Sequence, residues 1–266
     1  MKTSIFYFSA TGNSLHFARQ LACKLKTNNL VSIAEAMQSK THKPVGEKIG
    51  LVFPVYAWGP PRILMDFLQK FDFSSNTYIF SVVTCVGIPA KTLSTIHRTL
   101  RKKGATLDAG FIVKAGCASL MKMNTLDKII IGLDRKRKRL KTGEERLDEI
   151  ASVVGKMEKH KPEKSSLTAN IFGTMFHNYG INYFKTAAQS FHVNKNCTGC
   201  GTCARICPRA NISLQDGKPR FNNNCEFCHA CIQWCPEFAI THPDFDKHSP
   251  QYRHPEVNVK DLFVNA

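Results

Sequence analysis

The sequence predicts an α/β fold in which a doubly wound parallel sheet is followed by a small cysteine-rich domain. Two observations predict this arrangement. In the first 160 residues, continuous apolar runs alternate with segments whose apolar residues repeat at helical spacing. Eight of the eleven cysteines then lie between positions 197 and 235. We therefore expect two folded units of different chemistry.

Three strand–loop–helix units define the predicted sheet. The apolar runs are Thr3–Phe8, Ile49–Tyr56 and Tyr78–Cys85, with Ala109–Val113 as a candidate for a further strand. Each of the three ends in a loop rich in Gly, Pro or hydroxyl residues and leads into an amphipathic pattern. We place the sheet domain at 1–160, a linker at 161–190, the cysteine-rich domain at 191–242 and a C-terminal tail at 243–266.

The cysteine-rich segment contains the pattern C-x2-C-x2-C-x3-C-P twice, at 197–208 and at 225–236. In this pattern each run supplies three thiolates to one [4Fe–4S] cluster and its fourth cysteine to the other cluster. We therefore expect an α+β domain of the bacterial 2[4Fe–4S] ferredoxin type. The predicted ligands of the first cluster are Cys197, Cys200, Cys203 and Cys235. The predicted ligands of the second are Cys225, Cys228, Cys231 and Cys207.

Two zinc sites are the alternative interpretation, because Zn²⁺ also takes four thiolates. A zinc site has no use for a third equally spaced cysteine and a Cys-Pro pair, so the spacing favours iron–sulfur clusters. We expect His229, inside the second run, to be a bystander, because every ligand position already holds cysteine.

An anion site is predicted where the first strand meets the first helix. The loop Ser9–Ser14 places hydroxyls and backbone N–H groups at the positive end of that helix. The same residue types also serve ordinary turns and caps, which is the alternative. The loop has neither the lysine of a nucleoside-triphosphate loop nor the glycine spacing of a dinucleotide fold.

Two other strand ends carry residues suited to a flat heterocycle. Tyr56, Trp58 and Gly59 follow one strand, and Thr84, Cys85 and Gly87 lie at the end of the next. Ligands of such sheets bind outside the carboxyl ends of the strands, where aromatic rings can stack and glycine admits close approach. Alternatively, the rings of Tyr56 and Trp58 only cover the sheet edge, and Cys85 is an ordinary packed side chain without a role in binding.

At this point the first 160 residues resemble a flavodoxin, and the whole chain resembles the flavodoxin–ferredoxin fusion family of anaerobic prokaryotes, also called EFR-family ferrodoxins. The resemblance is carried by F-x-x-T-G-N-S at Phe8–Ser14, by F-P-V-Y at Phe53–Tyr56 and by the cysteine repeat. It implies a flavodoxin-like strand order of 2-1-3-4-5 and bound FMN. By position, the implied phosphate-binding residues are Ser9, Thr11, Gly12, Asn13 and Ser14. The implied flavin-ring residues are Pro54, Tyr56, Trp58, Gly59, Thr84 and Gly87.

These patterns predict a protein that relays electrons between FMN and two [4Fe–4S] clusters. The first alternative is a flavin-dependent reductase of a small organic or quinone substrate that is fed by its own ferredoxin domain. The second is a nucleic-acid or membrane-surface binder with structural clusters, which would use the basic run Arg135–Arg139. We expect that run to be a solvated helix face or a linker instead.

The charge and the N-terminus bear on partners and location. The formal net charge of +17 departs from the usual acidity of flavodoxins and predicts redox partner proteins with acidic docking surfaces. We expect no specific nucleic acid partner, while self-association stays open. The apolar start of the chain stops at Ser9, and no run of 18 apolar residues occurs, so we expect neither a signal peptide nor a transmembrane segment. The predicted location is the cytoplasm.

Overall fold

A computed structural model of the chain describes residues 2–38, 46–116, 145–245 and 251–264. The first domain alternates strands and helices. Its elements are β1 (Thr3–Tyr7), α1 (Asn13–Lys24), β2 (Leu30–Ser32), α2 (Ile33–Gln38), β3 (Lys48–Pro54), α3 (Arg62–Lys70), β4 (Tyr78–Cys85), α4 (Thr92–Lys102), β5 (Leu107–Lys114) and α5 (Leu147–Gly155). The basic run Arg135–Arg139 lies outside the described residues.

The five strands form one parallel sheet in the order β2-β1-β3-β4-β5. This confirms the predicted fold class and strand order, and β5 confirms the candidate strand at Ala109–Val113. Pro54 at the end of β3 pairs with Thr84 near the end of β4. The loops that follow β1, β3 and β4 therefore emerge at one edge of the sheet, which we call the carboxyl edge.

Helices cover both faces of the sheet because neighbouring residues of each strand point to opposite faces. Ile5 and Tyr7 pack with α1 and α5, and Phe6 packs with α3 on the other face. The largest fully buried side chains include Phe53, Phe67, Phe80 and Phe111. The continuous apolar strands are thus explained by two apolar layers, one on each face.

A short extended segment closes the free edge of β5. His160 N–H donates to Asp108 O at 2.9 Å, and Glu163 N–H donates to Gly110 O at 3.1 Å. The Glu163 carboxylate accepts from Ile112 N–H at 2.7 Å and pairs with buried Arg146. This segment satisfies backbone groups that an exposed edge strand would leave free.

The second domain is built from two similar halves. Its elements are α6 (Leu167–Ala187), β6 (His192–Val193), α7 (Thr202–Arg205), β7 (Ile212–Gln215), β8 (Lys218–Phe221), α8 (Ala230–Gln233) and β9 (Ile240–Thr241). Strand β6 pairs with β9, and β7 pairs with β8, both antiparallel. A segment predicted as linker, 161–190, contains the 21-residue helix α6. Among the described helices, none has the length and apolar composition needed to span a bilayer.

Gly50 allows β3 and β4 to pack tightly, which gives a stability prediction. A Cβ at Gly50 would lie 2.4 Å from Cζ of buried Phe80, whereas a Cβ at Gly155 would meet nothing within 4 Å. We expect Gly50→Ala to lower the free energy of unfolding by about 1–3 kcal/mol through overpacking. Gly155→Ala, at the end of helix α5, should leave it unchanged or raise it slightly. Denaturant unfolding of both variants measures the difference, and equal stability would contradict the packing argument.

Candidate functional site

Two cavities in the second domain are each lined by four cysteines. Cys197, Cys200, Cys203 and Cys235 line the first cavity, whose open volume is about 360 Å³. Cys207, Cys225, Cys228 and Cys231 line the second, of about 340 Å³. We call these the first and second cysteine sites. The structure brings together the same two sets of four that the sequence predicts, including the crossed fourth cysteine of each run. Their roles as metal ligands stay a prediction.

The two cysteine runs have the same backbone conformation. Gly199 and Gly201 of the first run have φ of 73° and 75°, and Phe227 and His229 at the equivalent positions of the second run have φ of 52° and 63°. Backbone N–H groups also reach equivalent sulfurs, from Asn211 to Cys207 Sγ and from Ala239 to Cys235 Sγ, both at 3.3 Å. Such N–H···S contacts stabilise negative charge on a thiolate. The repeat therefore extends from residue spacing to backbone geometry.

The two cysteine sites differ in how far their thiols are exposed to solvent. Burial raises the pKa of all four thiols of the second site, to about 12 for Cys225 and well above the usual value for Cys228 and Cys231. In the first site, burial raises the pKa of Cys203 to about 11. Cys200 is exposed, and its pKa is lowered mainly by the Thr202 hydroxyl. Buried thiols ionise when a bound cation compensates the charge, which suits metal ligation.

The second cysteine site lies against the carboxyl edge of the sheet. Cys228 packs against the apolar layers on both faces of the sheet. The indole N–H of Trp234 donates to Ala10 O in the loop after β1, at 2.8 Å, and the guanidinium of Arg62 donates to Cys225 O at 2.8 Å. Cys228 and the Arg62 contact therefore place the second site beside the predicted flavin loops, and Trp234, between Cys231 of the second site and Cys235 of the first, contacts the loop after β1.

A buried carboxylate joins the two domains at this edge. Glu226 lies between Cys225 and Cys228 and is 2% exposed. It accepts a hydrogen bond from Ile63 N–H in the first turn of α3 at 3.1 Å, and it contacts Nε of Arg209 at 3.2 Å. Burial raises the pKa of Glu226 to about 7, while Arg209 and Arg62 act in the opposite direction. Arg209 also pairs with Asp66 of α3 at 2.7 Å, so the charges form a connected network.

The loop between β1 and α1 has the geometry of an anion site. Its carbonyls face outwards, where Ala10 O accepts from Trp234 and Thr11 O accepts from His254 N–H at 2.8 Å. Within the described residues, the backbone N–H groups of Ala10, Thr11, Asn13 and Ser14 have no hydrogen-bond partner, although all four residues are buried. Gly12, with φ of 101°, makes the turn that orients these groups at the start of α1. A phosphate group fits this donor set.

The hydroxyl groups of this loop are placed by its neighbours. Ser9 Oγ accepts from Gly12 N–H at 3.2 Å. Ser14 Oγ lies 2.8 Å from Thr84 Oγ1, which links the loop to the end of β4. The predicted phosphate and ring residues Ser14 and Thr84 are therefore in direct contact.

The turn after β3 is held in a strained conformation. Tyr56 and Gly59 exchange two backbone hydrogen bonds of 2.9 and 3.0 Å, and the intervening Ala57 and Trp58 have φ of 43° and 61°. Left-handed conformations cost energy in residues other than glycine and are common at functional sites. Nδ1 of His177, on α6, lies within 3.2 Å of the carbonyl oxygens of Tyr56 and Ala57 and supports the turn.

Helix α6 covers part of the predicted ring region. A Cβ at Gly173 of α6 would lie 2.5 Å from Ala90 Cβ and 3.1 Å from Trp58 Cβ, so the helix contacts both loops. A Cβ at Gly59 would lie 2.3 Å from the ring of His177, whereas a Cβ at Gly87 would meet nothing within 4 Å. The chain is therefore open beside Gly87, whereas α6 lies over the Gly59 side. Pro54 pairs with Thr84 beneath the loops.

Three residues of this region, His177, Glu226 and Trp234, have no recognisable signal in the sequence. His177 lies in the predicted linker. Glu226 and Trp234 lie between cysteines, where the spacing predicts cluster ligands and nothing about the residues in between. No local pattern marks them, because their partners are more than 100 residues away in the chain.

Comparison with known protein families supports the iron–sulfur part of the prediction. Residues 190–236 match the family described as 4Fe-4S dicluster domain. This confirms the prediction of an iron–sulfur domain. A comparison with curated proteins gave no match.

Solved structures with similarity to the chain include two flavodoxins and an oxidoreductase. A short-chain flavodoxin associated with a non-canonical PDU bacterial microcompartment is 18% identical, with 59% of this chain and 98% of that chain covered and a TM-score of 0.36. Rubredoxin oxygen:oxidoreductase of Desulfovibrio gigas is 15% identical, with 58% and 35% covered and a TM-score of 0.39. Two-electron reduced Megasphaera elsdenii flavodoxin is 16% identical, with 42% and 85% covered and a TM-score of 0.33. At these values the sheet order seen in the structure carries the fold assignment.

The crossed cysteine sets predict a distinctive pattern of iron loss. Cys207→Ala and Cys225→Ala alter the same site, so the double variant should keep about four iron atoms, as each single variant does. Cys203→Ala combined with Cys207→Ala alters both sites and should keep almost none. Iron and sulfide analysis of anaerobically purified protein measures this. If each run held its own cluster, the two double variants would show the reverse pattern.

Proposed function

We propose that this protein transfers electrons between FMN bound at the carboxyl edge of the sheet and two [4Fe–4S] clusters in the second domain. The observation that carries the proposal is the location of the second cysteine site. It lies at the same edge as the anion loop, because Cys228 packs against the apolar layers on both faces of the sheet and Arg62, at the start of α3, donates to Cys225 O. Short separation between redox groups is what an electron relay requires.

The residues proposed to bind FMN divide into two groups. The unpartnered N–H groups of Ala10, Thr11, Asn13 and Ser14 would bind the phosphate at the start of α1. Tyr56, Trp58, Thr84 and Gly87 would border the ring, with α6 excluding water on one side. FMN exchanges electrons singly or in pairs, and a [4Fe–4S] cluster exchanges one at a time, which suits a converter between the two.

The proposed relay has an inner end and an outer end. The second cysteine site packs against the sheet domain, with Cys231 buried and its other three cysteines half-buried, whereas the first site includes exposed Cys200. We therefore assign the second site to exchange with the flavin and the first site to exchange with an external partner. The chain's own contribution is to hold the sites close together, to exclude water from the inner one and to expose the outer one.

The cofactor content tests this proposal directly. We expect anaerobically purified protein to contain about eight iron, eight sulfide and one FMN per chain. Photoreduction of the flavin should then bleach the cluster absorption within the same protein molecule, independently of protein concentration. A protein that holds both cofactors but shows no exchange between them would contradict the relay. Zinc in place of iron would contradict the cluster assignment.

The surface around the first cysteine site supports an acidic redox protein as the external partner. Lys195, Arg205, Lys218 and Arg220 are exposed around it, against the acidic Asp216 and Glu237. Leu214, which is 45% exposed, lines the first cavity, and Phe238, which is 62% exposed, follows Cys235. An exposed apolar pair within a basic surround is typical of a transient docking surface.

Charge reversal on this surface gives a prediction about the encounter rate. An acidic 2[4Fe–4S] ferredoxin serves as the probe partner. The double variant Lys195→Glu/Arg220→Glu should lower the second-order rate of electron transfer about tenfold at low ionic strength, because attraction acts on the encounter.

The matched control is Arg101→Glu/Lys102→Glu, which changes the net charge equally at the exposed C-terminal end of α4. It should lower the rate much less. Equal losses in the two double variants would show that net charge alone matters and would contradict a local docking surface.

A further inference from the structure

We infer that residues 251–254 form a strap that ties the phosphate loop to the second cysteine run, and that Tyr252 is a positioning residue for FMN binding. This inference rests on the proposed function, because the ligand of the loop is taken to be the FMN phosphate. The strap lies within the C-terminal tail predicted at 243–266 and crosses between the two domains.

Successive side chains of the strap alternate between the second cysteine run and the phosphate loop. Gln251 Nε2 donates to Ile232 O at 2.7 Å and to Cys235 O at 3.0 Å, and Arg253 Nε donates to Gln233 O at 2.6 Å. Arg253 also lies over the ring of Trp234, with its guanidinium carbon 5.3 Å from the ring centroid. Gln251 and Arg253 therefore hold the end of the second cysteine run.

Tyr252 and His254 point the other way, as expected for an extended segment. The hydroxyl of Tyr252 donates to Asn13 Oδ1 at 2.7 Å. His254 N–H donates to Thr11 O, and the His254 ring stacks on buried His16 with centroids 4.1 Å apart. These contacts all reach the phosphate loop or the first turn of α1.

Asn13 is the residue through which Tyr252 acts. Its amide is fixed at both ends, because Nδ2 donates to Gly116 O at 2.9 Å while Oδ1 accepts from Tyr252. Asn13 follows Gly12 and begins α1, so fixing its side chain also fixes the direction of the adjacent N–H groups. A loop whose donors are already oriented binds an anion with a smaller loss of entropy.

The strap also links binding to domain contact. A ligand that favours the ordered loop favours the strap by the same free energy, since coupling between two sites is reciprocal. FMN binding should therefore strengthen the contact between the second cysteine run and the sheet, and a loosened strap should weaken FMN binding.

Tyr252→Phe tests the strap in the full, cluster-loaded chain. It removes one hydroxyl that donates to Asn13 and keeps the ring. We expect the dissociation constant for added FMN, measured by quenching of flavin fluorescence, to rise about 3- to 10-fold. Tyr78→Phe is the matched control, because its hydroxyl also makes a 2.7 Å hydrogen bond, to Glu158 O, at the opposite edge of the sheet. This control should bind FMN as the wild type does.

Hydrogen exchange gives a second readout that a purely structural role would not change. In wild-type protein, addition of FMN should slow exchange of the His254 amide, which donates to the loop at Thr11. Unchanged FMN affinity in Tyr252→Phe, or equal weakening in both variants, would overturn the strap while leaving the proposed function intact. A wild-type protein that takes up no FMN would overturn the proposed function itself.

Discussion

The contact on which both domains depend is the burial of Glu226 between two cysteines and the first turn of α3. A carboxylate that is 2% exposed is costly unless it is paired, and here Ile63 N–H, Arg209 and Arg62 surround it. Arg62 also donates to the carbonyl oxygen of Cys225. The chain thus uses one buried ionic contact to fix the position of a cysteine site relative to a helix that begins at the carboxyl edge.

That position follows from the topology of the sheet. In a parallel sheet every strand ends at the same edge, and the following loops open there. The parallel topology alone therefore makes neighbours of the loop after β1, the strained turn after β3 and Thr84 of β4. Because the helix after β1 begins at this edge, its positive end lies there as well. Docking the second cysteine site on this edge brings four cysteines next to the loop that is predicted to bind an anion, and the positive charges of Arg62 and Arg209 lie beside them.

Local patterns predicted the features that depend on local chemistry. Four of the strands follow from apolar runs, and the strand order follows from the resemblance to flavodoxins. The two cysteine sets follow from spacing, because a fixed ligand geometry demands a fixed residue interval. Strand β2 was missed because Leu30–Ser32 is only three residues long and half-buried, too short for a pattern. Helix α6 lies in the predicted linker, because its Gly and Asn residues have low helix propensity and do not predict a helix. The contacts of His177, Trp234 and Tyr252 join residues far apart in the chain, and no single-sequence pattern reports such pairing.

The difference between the two cysteine sites gives the proposed relay an order. Reduction adds negative charge, and water stabilises that charge better than a buried apolar pocket does. The first site borders solvent at Cys200, whereas the second lies against the carboxyl edge, where Cys228 packs against the apolar layers of both faces of the sheet. The charge of Arg209 does little to offset this, because Glu226 and Asp66 already pair with it. In the proposed relay, a reduced cluster would therefore be more stable at the first site than at the second, which would order the transfer outwards from the carboxyl edge.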